Sequence, residues 1–103
     1  MKKIALVLAF LSMYMGIAYA DEVTIKIDNF IFTPASVTIK PGDAVTWVNG
    51  DDIPHSIVEK NAKFKSKPLD TNDKFSIVFK DVGTVDYFCG FHAHMTGKII
   101  VQP

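Results

Sequence analysis

The chain reads VDYFCGFHAHMTGKIIV at residues 85–101. Apolar and polar residues alternate at both ends of this stretch, and such alternation is typical of half-buried β-strands. Between the two strand patterns the sequence predicts a tight loop at one end of a β-structure. A thiol, two imidazoles and a thioether lie within seven residues of that loop. The stretch therefore predicts a strand-rich fold and also the place where its reactive side chains gather.

The same alternation continues through most of the chain. Besides the two strands at 85–88 and 98–101, period-two patterns predict strands at residues 23–27, 37–40, 45–48 and 75–79. Turn-forming residues separate them, for example Pro41-Gly42-Asp43 and Asn49-Gly50-Asp51-Asp52. After residue 20 there is no amphipathic helical pattern of useful length. Short, regularly spaced strands predict an all-β fold, an antiparallel β-sandwich.

The first twenty residues have a different character. Met1-Lys2-Lys3 is positively charged, the stretch from Ile4 to Ile17 is almost wholly apolar, and Ala18-Tyr19-Ala20 has the small-x-small pattern of a cleavage site. These features predict a secretory signal peptide at residues 1–20 and a single domain at 21–103. The alternative is a retained membrane anchor, but a spanning helix needs about 20 apolar residues and this stretch is short. We therefore expect a periplasmic protein without membrane attachment.

The composition of residues 21–103 narrows the classes of function. Nine lysines and no arginine stand against eleven acidic residues, which leaves a net charge of −2. A domain without arginine lacks the side chain that most often reads phosphates and base edges, so nucleic acid is not an expected partner. The single cysteine excludes an intramolecular disulfide. A bound metal would both occupy that thiol and stabilise a small domain.

The residue types in the loop predict a copper centre. Cys89 supplies a thiolate, Met95 a thioether, and His92 or His94 an imidazole. Together with a second imidazole, these are the ligands of mononuclear copper sites that transfer electrons. The remaining histidine of the chain, His55, follows a predicted strand and turn and supplies that second imidazole. Residue types alone leave the choice between His92 and His94 open.

The spacing Cys-x2-His-x2-Met, with Pro54-His55 upstream, resembles that of the cupredoxins, especially the short-loop, amicyanin-like members. The resemblance covers nearly all of residues 21–103. It implies a Greek-key β-sandwich that binds one copper ion and shuttles single electrons between Cu(I) and Cu(II). It also implies that His55 and His92 are equatorial ligands, Cys89 the equatorial thiolate and Met95 the weak axial ligand. A longer-loop spacing would select His94, but no methionine follows Met95.

The resemblance also implies partners. We expect a monomer that meets protein redox partners, namely a donor dehydrogenase and a cytochrome-type acceptor. A copper oxidase is not expected, because its further coppers need histidine clusters and this chain has three histidines. The alternative is a copper-binding module for storage or delivery. Structural zinc is a weaker alternative, since methionine is a poor zinc ligand.

Four smaller expectations concern residues around the site. The side chain of Ser56 is expected to tie the His55 segment to the Cys89 loop, with a surface hydroxyl of no role as the alternative. Phe91, at a position where amicyanin has proline, is expected to direct its N–H at the sulfur of Cys89. Trp47 is expected in the core of the sandwich. The lysine-rich stretch Lys60–Leu69 is interpreted as a solvated loop or edge, with a docking surface for an acidic partner as the alternative.

Overall fold

The computed structural model describes residues 20–103, so the predicted signal peptide, except for Ala20, lies outside the described residues. Within residues 20–103 the regular structure consists of eight strands. They are β1 Glu22–Asp28, β2 Ile31–Thr33, β3 Ser36–Ile39, β4 Ala44–Asn49, β5 Val58–Glu59, β6 Lys74–Val78, β7 Gly83–Cys89 and β8 His92–Val101. No helix in this part of the chain has the length and apolarity needed to cross a membrane. The predicted all-β class is confirmed.

The strands form two four-stranded sheets. One has the order β2-β1-β4-β6 and the other β3-β8-β7-β5. The chain passes from the first sheet to the second at β3 and returns at β4, which gives the sandwich the crossovers expected of a Greek key. Cys89 ends β7 and His92 begins β8, so the central strands of the second sheet carry the loop chemistry.

The predicted β-sandwich is confirmed, but its sheets are mixed and not antiparallel throughout. β1 pairs with β4 in parallel, and β3 pairs with β8 in parallel, while the other pairs are antiparallel. Parallel neighbours need a long crossover connection. Here β2 and β3 lie between β1 and β4 in the chain, and they provide that connection. Alternation of apolar residues gives the faces of a strand but not the direction of its neighbour, so the pattern did not predict the parallel pairs.

The core lies between the two sheets. Alternate residues of β1 and β4 point inward, and Ile25, Ile27, Val45 and Trp47 are all fully buried. Trp47 makes an edge-to-face contact with Tyr87 of β7, with ring centroids 5.2 Å apart. Complete burial of a large apolar side chain contributes about 1.5–3 kcal/mol. The predicted core position of Trp47 is confirmed.

Two strands were not predicted, and one of them forms a hairpin that reaches the site. β2 pairs antiparallel with β1 through the two-residue turn Asn29-Phe30. The φ angles of these residues are 54° and 62°. A two-residue hairpin turn with positive φ at both positions matches the twist of the flanking strands. Asparagine tolerates this conformation, whereas a phenylalanine there costs on the order of 1–3 kcal/mol.

The predicted loop between the last two strands is shorter than expected. β8 begins at His92, so Gly90 and Phe91 alone separate it from β7. Phe88 pairs with Thr96, but the next residue, Cys89, pairs with His92. The three residues 93–95 therefore lie outside the regular register. This irregular pairing, and not a long loop, places Cys89 opposite His92.

Candidate metal centre

Three of the predicted ligands lie together in the structure. The sulfur of Cys89 is 3.6 Å from Nδ1 of His55 and 3.7 Å from Nδ1 of His92. One ligand atom from each of the three residues lies within 4.8 Å of the others. Cys89 and His55 are fully buried, and His92 is half-buried. The cluster is thus a closed pocket of donors with one imidazole near the surface.

The segment that carries His55 is fixed by backbone and side-chain hydrogen bonds. The N–H of His55 donates to the carbonyl of Leu69, and the N–H of Leu69 donates back, at 3.1 and 2.7 Å. The buried amide of Asn49 donates to the carbonyls of Ile53 and Leu69. Because Asn49 ends β4, these bonds attach the turn before His55 to the rigid sheet. His55 therefore reaches the cluster from a fixed backbone.

Asp51 sets the orientation of the His55 ring. Its Oδ2 lies 2.8 Å from Nε2 of His55, and the carboxylate also accepts hydrogen bonds from the N–H groups of Asn29 and Phe30. Partial desolvation raises the pKa of Asp51, but the bonds from Phe30, Asn29 and His55 outweigh it and hold that pKa below its usual value. An ionised acceptor requires the hydrogen on Nε2. Nδ1 then carries the lone pair that faces Cys89.

Ser56 joins the two halves of the cluster, as the sequence analysis predicted. Its N–H donates to the sulfur of Cys89 at 3.5 Å, and its Oγ accepts from the N–H of Gly90 at 3.0 Å. The prediction for Phe91 is wrong: among residues 20–103, the backbone N–H bonded to that sulfur is the one of Ser56. In the two-residue turn between β7 and β8, the Gly90 N–H donates to Ser56 Oγ, and Phe91 is 55% exposed.

Met95 and His94 have opposite environments. Met95 is buried at 5% exposure and packs in the same core cluster as Cys89. His94, its neighbour, is exposed and lies outside the group of converging donors. This contrast favours His92 over His94 as the second imidazole. The role of Met95 as axial ligand stays a prediction.

Phe30 covers the two imidazoles, a contact that was not predicted from the sequence. Its ring meets that of His92 at 5.0 Å and that of His55 at 5.5 Å, both nearly perpendicular. Phe30 is still 48% exposed, and Phe91, the residue before His92, is 55% exposed. Asp51 was missed as well. A carboxylate four residues before a histidine ligand was a signal in the sequence, but Phe30 gave none because it is distant in the chain.

The observed spacing of donors fits a trigonal metal site. A first-row ion bonded to sulfur at about 2.3 Å and to nitrogen at about 2.0 Å, with trigonal angles, separates sulfur and nitrogen by about 3.7 Å. Both sulfur-to-nitrogen distances agree with this value. Two imidazoles and one thiolate with a nearby thioether are typical of blue-copper sites. The residues present therefore fit copper.

Comparison with known proteins agrees with this assignment. Residues 3–101 match the family described as the cupredoxin-like domain. Amicyanin from Paracoccus versutus is 35% identical over 88 residues, which cover 81% of this chain and 67% of that protein. Plastocyanin from Scenedesmus fuscus is 38% identical over 98 residues, with 79% and 100% covered. A purple cupredoxin from Nitrosopumilus maritimus has a similar structure, with a TM-score of 0.72, 34% identity, and 78% and 99% covered.

Fold and site together define a small β-sandwich protein that binds one copper ion. The chain belongs to the cupredoxin family. The predicted family, its similarity to amicyanin and the copper cofactor are confirmed. The similarity to amicyanins and plastocyanins also supports a role in electron transfer.

Proposed function

We propose that this protein is a periplasmic blue-copper electron carrier, with His55, Cys89, His92 and Met95 as its copper ligands. The observation that carries the proposal is the pair of similar distances from the sulfur of Cys89 to the Nδ1 atoms of His55 and His92, 3.6 and 3.7 Å. In this proposal residues 1–20 are removed on export, and residues 21–103 act as a monomer. Its partners are a donor dehydrogenase and a cytochrome-type acceptor.

Copper supplies a one-electron couple between Cu(I) and Cu(II). The protein supplies a buried thiolate at Cys89, which no solvent reaches. Two hydrogen bonds, from the Ser56 N–H to the Cys89 sulfur and from the Gly90 N–H to Ser56 Oγ, keep the Cys89 turn and the His55 segment at a fixed separation. A site whose ligands cannot move between oxidation states needs little rearrangement during electron transfer. Rigidity is therefore the main contribution of the protein to the reaction.

The route to a partner leads through His92. It is the half-buried member of the cluster, the partly exposed ring of Phe30 contacts its imidazole, and the exposed Phe91 precedes it in the chain. Brief redox encounters use small interfaces, and an apolar rim suits such contacts. The lysines at 60, 63, 65 and 67 are exposed, as expected for a solvated loop. We propose the His92 end as the port for electrons.

The ligand assignment is tested on residues 21–103 loaded with Cu(II). We expect an intense visible band from thiolate-to-copper charge transfer, and Cys89→Ser should abolish it. His92→Asn should also remove or strongly alter the band, whereas the matched control His94→Asn should leave it unchanged. Met95→Leu should shift the spectrum without removing the band. A Cu(II) protein with no intense band, or loss of the band in His94→Asn alone, would contradict the assignment.

Kinetic measurements distinguish a carrier from the alternatives. A carrier should be reduced and reoxidised rapidly and completely by small redox reagents over many cycles without losing copper. A storage or delivery module should lose its ion to a Cu(I) chelator on reduction. Steady oxygen uptake by the reduced protein would indicate an enzyme instead. Mass spectrometry of the protein recovered from the periplasmic fraction tests export and cleavage after Ala20.

A further inference from the structure

Asp51 is the meeting point of two segments that are distant in the chain. Its Oδ1 accepts from the N–H of Asn29 at 2.7 Å, and its Oδ2 accepts from the N–H of Phe30 at 3.1 Å and from Nε2 of His55 at 2.8 Å. One carboxylate thus bonds the tip of the β1–β2 hairpin and a copper-site imidazole at the same time. Its side chain is 13% exposed, so water competes little for these bonds.

The hairpin tip needs this carboxylate. Asn29 and Phe30 both have φ in the left-handed region, which a phenylalanine rarely adopts. In this conformation their two N–H groups point in the same direction, where the two oxygens of Asp51 accept them. Strained residues of this kind persist where surrounding bonds hold them, and they concentrate at functional sites. Here the carboxylate of Asp51 holds the strained turn at Asn29 and Phe30.

The result of the strain is the position of one aromatic ring. Phe30 stands perpendicular to both imidazoles, at 90° to His55 and 89° to His92, with centroid distances of 5.5 and 5.0 Å. Edge-to-face pairs at this distance are attractive and restrict rotation of the rings. His55 has a hydrogen bond to Asp51 in addition, but the ring of His92 has no such carboxylate among the bonds of residues 20–103. Within the described residues, the His92 ring contacts two aromatic rings, that of Phe30 at 5.0 Å and that of His55 at 5.2 Å between centroids, and Phe30 is the one that stands perpendicular to it.

We propose that Asp51 and Phe30 form one positioning unit, in which Asp51 orients His55 directly and orients His92 through the ring of Phe30. The proposal rests on the proposed copper function, since both histidines are taken as ligands. In this unit Asp51 is a positioning residue for both imidazoles, although it contacts only one. The unit makes the hairpin of β1 and β2 part of the copper site rather than a neighbouring surface turn.

The unit predicts different effects for its two members. Phe30→Ala keeps the left-handed backbone and the carboxylate bonds but removes the ring, so it should disturb His92 more than His55. Asp51→Asn keeps the size of the side chain but removes its charge and one of its acceptor oxygens, so it should disturb both histidines. Outer carboxylates of this kind typically contribute about ten- to hundred-fold to metal affinity. We expect a loss of that size in Cu(II) affinity for Asp51→Asn.

The first experiment needs no metal and tests the clamp itself. In the amide NMR spectrum of copper-free residues 21–103, the signals of Asn29 and Phe30 should be shifted downfield and protected from exchange. Asp51→Asn should move both signals and speed their exchange, while the matched control Asp52→Asn, an exposed neighbour, should leave them in place. Unchanged Asn29 and Phe30 signals in Asp51→Asn would overturn the clamp, whatever the copper site does.

The second experiment tests the coupling in the copper-loaded protein. The visible spectrum, the Cu(II) paramagnetic resonance spectrum and the reduction potential are measured for Asp51→Asn, Phe30→Ala and the double variant. If Asp51 acts on His92 through Phe30, the Phe30→Ala effect should be much smaller in the Asp51→Asn background. Phe30→Tyr, which keeps the ring, should give the wild-type spectra and potential. The control Ile31→Ala should also leave them unchanged. Strictly additive effects, or a silent Phe30→Ala, would overturn the unit.

The two experiments separate this proposal from the proposed function. If wild-type protein shows no blue-copper spectrum, the proposed function fails although the metal-free clamp can still be present. If the spectrum is blue but the variants behave additively, the positioning unit fails and the electron carrier stands.

Discussion

Tyr87→Phe is expected to stabilise the protein progressively as the pH rises above 10. The side chain of Tyr87 is 1% exposed, and its hydroxyl has no hydrogen-bond partner within the described residues. Burial raises the pKa of Tyr87 to about 12. At neutral pH, loss of an unpaired buried hydroxyl should leave stability unchanged or slightly higher. Alkaline pH adds a second effect, because the native protein resists ionisation of this tyrosine.

The sign and size follow from the two pKa values. The folded value of about 12 lies above the ordinary value of 10.0, so stability is complete below pH 10 and falls as the pH rises through 12. Each unit of difference corresponds to about 1.4 kcal/mol. From these values Tyr87 should remove about 1.3 kcal/mol of stability between pH 9 and pH 11. The phenylalanine variant loses none of this.

The assay is denaturant unfolding of copper-free residues 21–103 at pH 9 and pH 11, for wild type and Tyr87→Phe. Other groups that titrate in this range contribute equally to both proteins, so the difference between them isolates Tyr87. This is the one tyrosine of residues 21–103, so phenolate absorbance reports its ionisation directly. Equal losses of stability in the two proteins, or phenolate that forms near pH 10 in the folded state, would refute the reasoning.

Three further changes test the packing. Gly97→Ala should lower stability by about 1–3 kcal/mol in thermal unfolding, because the new Cβ would overlap Cζ of Tyr87. An unchanged melting temperature would mean that the Tyr87 ring moves freely. Gly90→Ala should destabilise the Ser56→Ala protein less than it destabilises the wild type, because the new Cβ would lie 2.6 Å from Ser56 Oγ. Additive shifts of the denaturant midpoint in the two single variants and the double variant would contradict this contact. Ile25→Ala, at a fully buried position, should cost about 2–5 kcal/mol by the same measurement, and a smaller loss would show that the core refills the space.

Much of the fold followed from the sequence because half-buried strands have a strong period-two pattern. The strands at 23–27, 45–48 and 85–88 were predicted almost residue by residue. β2 and β5, with three and two residues, are too short for a period to be visible. The parallel pairing of β1 with β4 was not predictable either, because it depends on which sheet the intervening strands join.

The candidate site divides in the same way. Cys89, His92 and Met95 are close in sequence, so their spacing predicted a copper loop, and His55, the one histidine outside that loop, completed the predicted set. Phe30 and Asp51 were missed because their roles arise from contacts between distant segments and from an unusual backbone at a turn. The predicted bond from Phe91 to the sulfur failed for a related reason. It depended on the direction of one N–H in a turn whose length the sequence did not determine.

The direction of the strands has a practical consequence for attachment. β1 and β4 run toward the copper site and β8 runs away from it, so Asp21 and Gln102 lie at the opposite pole. There they bond to one shared segment, Asp21 to the side chain of Asp43 and Gln102 to the carbonyl of Ile39. A tether joined at either position, to an electrode or to another protein, would leave the pole with His92 facing outward. Protein immobilised in this way should exchange electrons with dissolved redox partners as fast as the untethered protein does.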